Sequence, residues 1–156
     1  MDIRPARLND AGQIQALIFA AADPEHNEDL DAQGRERFIA SNSLDAVSER
    51  ISRPDFLMLC CHADASIVGL IRIKRPDAID QLFVSAAYRR RGIARCLWLE
   101  AKARCEREHG QKSFRVRSST MAVPLYESFG FRLAGAKCRD RGVAYYPMVF
   151  SPEASL

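Results

Sequence analysis

Three consecutive arginines and a glycine, Arg89-Arg90-Arg91-Gly92, stand just ahead of the best helical pattern in the chain, which Ile93-Ala94 opens. The first N–H groups of a helix lack intrahelical partners, and the helix dipole is positive there. Gly92 and Ala94 are small, so a bulky anion can come close to the backbone. The arginines add local charge. Chemically this is a cradle for a phosphate or pyrophosphate, although a basic surface turn before an ordinary helix has the same local composition. Two other phosphate loops are excluded. There is no GxxxxGK(S/T), and a single glycine cannot make a GxGxxG.

The charge around this segment is uneven. The net charge is +3 over 156 residues, but residues 1–71 hold six Lys/Arg against twelve Asp/Glu, and residues 72–117 hold thirteen against five. An acidic first half and a basic middle suit an anionic and a cationic ligand meeting on one surface; a solvated charge mosaic is the alternative. Nucleic-acid binding through Arg89–Arg91 is disfavoured by the acidic half and by the lack of interleaved aromatics. No apolar run approaches the roughly 18 residues of a membrane span. Met1-Asp2-Ile3-Arg4-Pro5 lacks the apolar core of a secretory signal, so a cytoplasmic protein is expected. The five cysteines (Cys60, Cys61, Cys96, Cys105, Cys138) form no CxxC or Cys/His metal spacing. Reduced and mostly buried thiols are expected, and no metal.

The elements that must position the cradle read as follows. Asp2–Ala6 is a short strand, and Asn9-Asp10 can cap a helix carrying Ile14, Leu17, Ile18 and Ala21. A polar loop over 22–29 precedes helical regions at Arg35–Ala40 and Ser43–Ile51. Phe56–Cys61 and Ile67–Ile73 form a hairpin, and Ile79–Val84 is the next strand. Ile93, Leu97 and Ala101 recur every four residues in a helix that ends at Gly110. Phe114 and Val116 alternate in a strand, and Ser118-Ser119-Thr120 can cap a short helix running to Ser128. Two strands, Phe131–Cys138 and Ala144–Phe150, close the chain, with Pro147 expected to put the last at an edge or bulge. The order is that of an α/β domain of α+β type, spanning residues 1–156 as one unit, with a mixed, mostly antiparallel sheet.

Arg89-Arg90-Arg91-Gly92-Ile93-Ala94 resembles the (Q/R)-x-x-G-x-(G/A) loop of the GCN5-related N-acetyltransferases, the GNAT superfamily. Leu82-Phe83-Val84, ending five residues before Arg89, looks like that family's fourth strand. Ala122-Val123-Pro124-Leu125-Tyr126-Glu127-Ser128-Phe129-Gly130-Phe131 is similar to its second motif, A-x-x-x-Y-x-x-x-G-F, about 35 residues further on. The element order follows the family over nearly the whole chain. The resemblance implies a sheet of about six to seven strands flanked by about four helices, splayed between the fourth and fifth strands.

It also implies acetyl-coenzyme A as co-substrate and an amine as acceptor. Leu82, Phe83 and Val84 would bond the pantetheine arm through their backbone. Arg89, Arg90, Arg91, Gly92, Ile93, Ala94 and Arg95 would wrap the pyrophosphate. Tyr126 corresponds to the family tyrosine that protonates the departing thiolate, an effect worth about 10²–10⁴-fold. Ser119 stands where the second motif often has Asn; it can cap the helix but reaches less far. An alkylammonium must lose its proton before attack, since its pKa lies near 10.4. Asp80 is the candidate base, chosen because it shares strand parity with Leu82 and Val84. Glu25, His26 and Glu28 lie where the family builds its acceptor site, and Tyr145 and Tyr146 are candidates for lining it, one of the two facing the core. The expected activity is direct acetyl transfer to a primary amine, a small molecule favoured. The alternative is a non-catalytic coenzyme A sensor or interaction domain. Oligomeric state is left open, a homodimer included.

Overall fold

The computed structural model describes residues 1–152, so the last four residues of the expected 1–156 domain lie outside the described residues. Strand β1 (Asp2–Pro5) leads into α1 (Ala11–Ala22), α2 (Ala32–Ser41) and α3 (Leu44–Ser52). Strands β2 (Phe56–Ala63), β3 (Ser66–Lys74) and β4 (Ala78–Val84) form a meander. Helix α4 (Ile93–His109) crosses to β5 (Phe114–Ser118), and α5 (Val123–Ser128) leads to β6 (Arg132–Leu133), β7 (Cys138–Asp140) and β8 (Val143–Phe150). The sheet runs β1-β2-β3-β4-β5-β8-β6, with β7 also paired to β8. Among the described pairings only β4 and β5 run parallel. The class is the expected one, with eight strands and five helices among the described residues.

Local chemistry sets several boundaries. The Asp31 and Ser43 side chains accept from the N–H groups of Gly34 and Ala46, which starts α2 and α3. Two apolar cores form on opposite faces of the sheet. On one face α4 buries Ile93, Leu97, Trp98, Ala101 and Cys105 against β2, β3 and β4. Trp98 packs edge-on against Phe114 and tilted against Phe131, each at 5.1 Å between ring centres. On the other face α1 and α3 bury Ile14, Ile18 and Val47 over Met58, Cys60 and Leu70. Helix α4 approaches closely because β3 has Gly69 under it; a Cβ there would lie 2.9 Å from Ile93 Cγ2.

The expected strand Phe131–Cys138 is instead split into β6 and β7, and Pro147 is the reason. Strand β8 lies inside the sheet, between β5 and β6, rather than at an edge. Ala134 N–H donates to the Pro147 carbonyl at 2.8 Å, so Pro147 turns its missing N–H toward the β6 and β7 side. The ladder fails at that point and restarts at Cys138↔Tyr145. All five cysteines are free; Cys60, Cys61 and Cys105 are buried, Cys96 and Cys138 exposed. No helix among the described residues is long and apolar enough to cross a membrane.

Candidate active site

Strands β4 and β5 pair only at Ala78↔Arg115 and Ile79↔Val116. Beyond that point they part, and residues 80–84 of β4 present an edge that no described strand covers. The divergence begins at a bulge. Ile79 pairs with Ile73 and Gln81 with Arg72, which leaves Asp80 as the extra residue. A bulge bends the strand and increases its twist, and here it sits where the two strands separate. The opening belongs to a cleft of about 1490 Å³ that runs from Arg89 and Arg90 past β4 to Asp80 and Lys74.

The bulge also corrects the parity assigned to Asp80. Leu82 and Val84 pack with the α4 core and Phe83 with the α1 core. Asp80, shifted by one, turns to the α1 face, where its Oδ2 accepts from Arg72 Nε at 2.7 Å. It lines the cleft as the counter-ion of an arginine side chain that is only 5% exposed.

The other end of the cleft is formed by the loop that leads into α4. Arg90 and Gly92 both have left-handed backbones, with φ of 62° and 78°. Alternation of this kind turns successive N–H groups into one concavity, which favours an anion. The first helical bond there is Cys96 N–H to the Gly92 carbonyl, so the N–H groups of Ile93, Ala94 and Arg95 are left over for a ligand. A Cβ built on Gly92 meets nothing within 4 Å, so its side faces open space. Arg89, Arg90, Gly92, Ile93, Ala94 and Arg95 line the cleft. Arg91 does not; its guanidinium stacks on the Tyr88 ring at 4.9 Å. Arg95 donates to the Ser128 carbonyl at 3.0 Å and sits over Phe129, which ties α4 to α5.

Tyr126 is 5% exposed and lies behind the cleft wall, which neighbouring Ala122, Leu125 and Phe129 form. Its ring packs edge-on against Phe131 and Phe129, at 5.5 and 6.1 Å. Burial alone pushes its phenol well above the ordinary value, so it stays protonated. Ser119 lines the cleft, and its Oγ accepts from Ala122 N–H at 3.2 Å in the turn before α5, whose own N-cap is Ala122 with no side-chain cap bond. Tyr145 lines the cleft under Arg117, whereas Tyr146 is half-buried under Lys137 and joins neither core.

The acidic loop between α1 and α2 is largely committed to structure. Asp29 is 7% exposed and accepts from Thr120 N–H at 2.9 Å and Thr120 Oγ1 at 2.6 Å. Asp31 caps α2 and pairs with Arg139, Asp23 bonds His26, and Glu25 faces Arg35 at 3.9 Å. Sequence reading missed the polar group beneath β4. There Gln81 Nε2 donates to Asn42 Oδ1 at 3.0 Å, and Arg72 stands beside Asp80. An arginine in the apolar run Ile67–Ile73 was the available signal.

A family model described as an acetyltransferase (GNAT) domain matches residues 26–152. The chain belongs to the GNAT acetyltransferase family. Among solved structures, this GNAT chain is similar to a PaiA N-acetyltransferase from Thermoplasma acidophilum in complex with coenzyme A. That match has 18% identity and a TM-score of 0.82, covering 96% of this chain and 98% of the other. A GCN5-related N-acetyltransferase from Rhodopseudomonas palustris matches with 23% identity and a TM-score of 0.78, over 96% and 94%. An aminoglycoside 6'-acetyltransferase type Ii matches with 14% identity and a TM-score of 0.72, over 97% of each chain. No curated protein sequence matches this one. At these identities the likeness establishes the GNAT fold.

Proposed function

We propose that the protein transfers the acetyl group of acetyl-coenzyme A directly to a primary amine. The observation that carries this reading is the open β4 edge leading to the N–H concavity at the start of α4. One end of the cleft suits a polyphosphate, and the other can receive a second molecule. Two of the similar GNAT structures contain coenzyme A, which fits this assignment. In the proposal, Leu82, Phe83 and Val84 hold the pantetheine arm as an added strand would. Arg89, Arg90, Arg95 and the N–H groups from Gly92 onward hold the phosphates. Arg91 contributes long-range charge rather than contact, and Ser119 shapes the wall through its bond to Ala122 N–H in the turn before α5.

The amine nitrogen attacks the thioester carbonyl carbon while a backbone N–H near Val84 steadies the oxygen that gains charge. The C–S bond breaks as the C–N bond forms. Tyr126 offers its hydroxyl to the departing sulfur; burial keeps the phenol protonated but also makes it a weaker acid, so it acts chiefly as a hydrogen-bond donor to the developing thiolate. The amine's proton leaves toward the cleft-facing carboxylate of Asp80, directly or by water. Asp80 is paired with Arg72 at 2.7 Å, so it also serves as an electrostatic partner for the bound amine.

Thiol release from acetyl-coenzyme A across a broad amine panel, with mass spectrometry of the product, tests the reading. Amine-dependent release with an acetylamide product is expected. Tight coenzyme binding without turnover on any amine would instead make the protein a coenzyme A sensor.

A further inference from the structure

The wall of the cleft beneath β4 holds two buried polar atoms without partners among the described residues, and they are of opposite kinds. Arg72 Nη1 is a donor with no acceptor, and Gln81 Oε1 is an acceptor with no donor. Arg72 and Gln81 are register partners on β3 and β4, and both line the cleft. A buried polar atom left unpaired is costly, so such atoms mark places where a ligand belongs.

The charge around them is unbalanced in one direction. Asp80 answers Arg72 through one bond, but Arg50 also bears on Arg72, and its Nη1 reaches the Ser41 carbonyl at the same wall. Burial lowers the Arg72 guanidinium from its ordinary value; Asp80 works against that shift and Arg50 adds to it. Two guanidinium groups and one carboxylate leave an excess of one positive charge. With its amine in the neutral form that attacks, an amino acid brings one carboxylate and neutralises that excess, whereas an aminoalkyl phosphate dianion overshoots it. Lys74 lies further out, exposed and beside Asp55. In the acidic loop across the cleft Asp23, Asp29 and Asp31 are bonded within the fold, which leaves exposed Glu28 as the carboxylate facing the cleft.

We infer that the acceptor is an amino acid, whose carboxylate seats on Arg72 and Arg50 and whose amino group lies against Gln81 Oε1 and Asp80. The inference rests on the acetyl-transfer reading and deepens it by naming the substrate class. An amino acid supplies what the wall lacks, an acceptor for Arg72 Nη1 and a donor for Gln81 Oε1. Its two charges fall beside Arg72 and Asp80, which are themselves one 2.7 Å hydrogen bond apart. The carboxylate then fixes the amine relative to β4, as positioning for attack requires.

The test compares proteinogenic L-amino acids with their C-terminal amides. The amide keeps the amine and loses the carboxylate. Thiol release gives kcat/KM, and calorimetry gives binding to the protein–coenzyme A complex, where no chemistry occurs. At least one free acid is expected to exceed its amide by about tenfold or more in both readouts. In Arg72→Gln that ratio falls toward one, with the coenzyme-induced rise in melting temperature retained. Should Arg72→Gln fail to fold, Arg50→Gln is the second variant, and its ratio falls at least about threefold. Equal use of acid and amide overturns the inference, as does a ratio unchanged in a folded variant. A preference for phosphoethanolamine over β-alanine also overturns it, as does a panel with neither turnover nor binding. Carboxylate-dependent binding without turnover supports the acceptor site while rejecting acetyl transfer. Turnover without a carboxylate preference does the reverse.

Discussion

Tyr126 sits among aromatic rings, and burial is the whole cause of its raised phenol pKa. Such a hydroxyl is a hydrogen-bond donor rather than a strong acid, useful only if the thioester sulfur comes within reach of it. Tyr126→Phe keeps the ring and its edge-on contacts with Phe129 and Phe131. The expected result is a fall in kcat of about 10²–10⁴-fold with coenzyme binding and melting temperature nearly unchanged. Unchanged turnover would reduce Tyr126 to a packing residue. Its identity was legible in the A-x-x-x-Y-x-x-x-G-F pattern, but its place behind the cleft wall was not. That place depends on Trp98 of α4 gathering Phe114 from β5, Phe129 and Phe131 from the turn after α5, and Phe150 from β8. Asp80 shows the same limit. Its type was legible, its face was not, because one bulged residue reverses the parity of everything before it.

The start of α4 and the loop before α2 do different work and should fail differently. Gly92→Glu places a side chain on a left-handed backbone, at a cost of about 1–3 kcal/mol, and a negative charge beside the free N–H groups. Coenzyme A at about a hundredfold excess over its Kd should stabilise the native protein by about 2.7 kcal/mol. Thermal melts of Gly92→Glu should show no such rise. A variant that is folded and still stabilised would move the phosphate site elsewhere. Asp29→Ala acts on the fold instead. It strips the acceptor from Thr120 N–H and Oγ1, which join the α1–α2 loop to the segment between β5 and α5. Urea unfolding should record a loss of about 2–3 kcal/mol, and a loss under about 0.5 would make this tie incidental. Helices and strands were legible wherever apolar spacing or caps marked them, as in α4 and at Ser43. In the acidic loop sequence shows charge and not partners, so it does not separate Asp29 and Asp31, which are bonded within the fold, from His26 and Glu28, which line the cleft. The split of the last strands hinged on which neighbour Pro147 fails to bond, and that depends on sheet order.

Charge is sorted across the molecule by what it touches. The basic middle supplies Arg89, Arg90 and Arg95 to one end of the cleft and Arg72 to the other, while the acidic half is spent mainly on caps and ties. The thiols obey a related rule, since burial decides their ionisation. Cys60 lies in the α1-side core and is pushed up to about 12, and Cys105 in the α4-side core is pushed up to about 11, both from an ordinary 9.0 and mainly by burial. In the unfolded chain both thiols lose their protons near the ordinary value, whereas the folded protein keeps them. The unfolded state therefore binds fewer protons between about 9 and about 12, and stability must fall as pH rises through that window. Below the unfolded value the contribution is fully present. Each thiol adds a slope of up to about 1.4 kcal/mol per pH unit. Urea unfolding under reducing conditions at about pH 8 and about pH 10 should show this loss. Cys60→Ala has a lower baseline, because it leaves a small cavity, but it should lose less between the two pH values than the native protein does. Identical pH slopes for the two proteins would mean that Cys60 ionises in the folded state as it does in the unfolded one, and that the core on the α1 face is open to water.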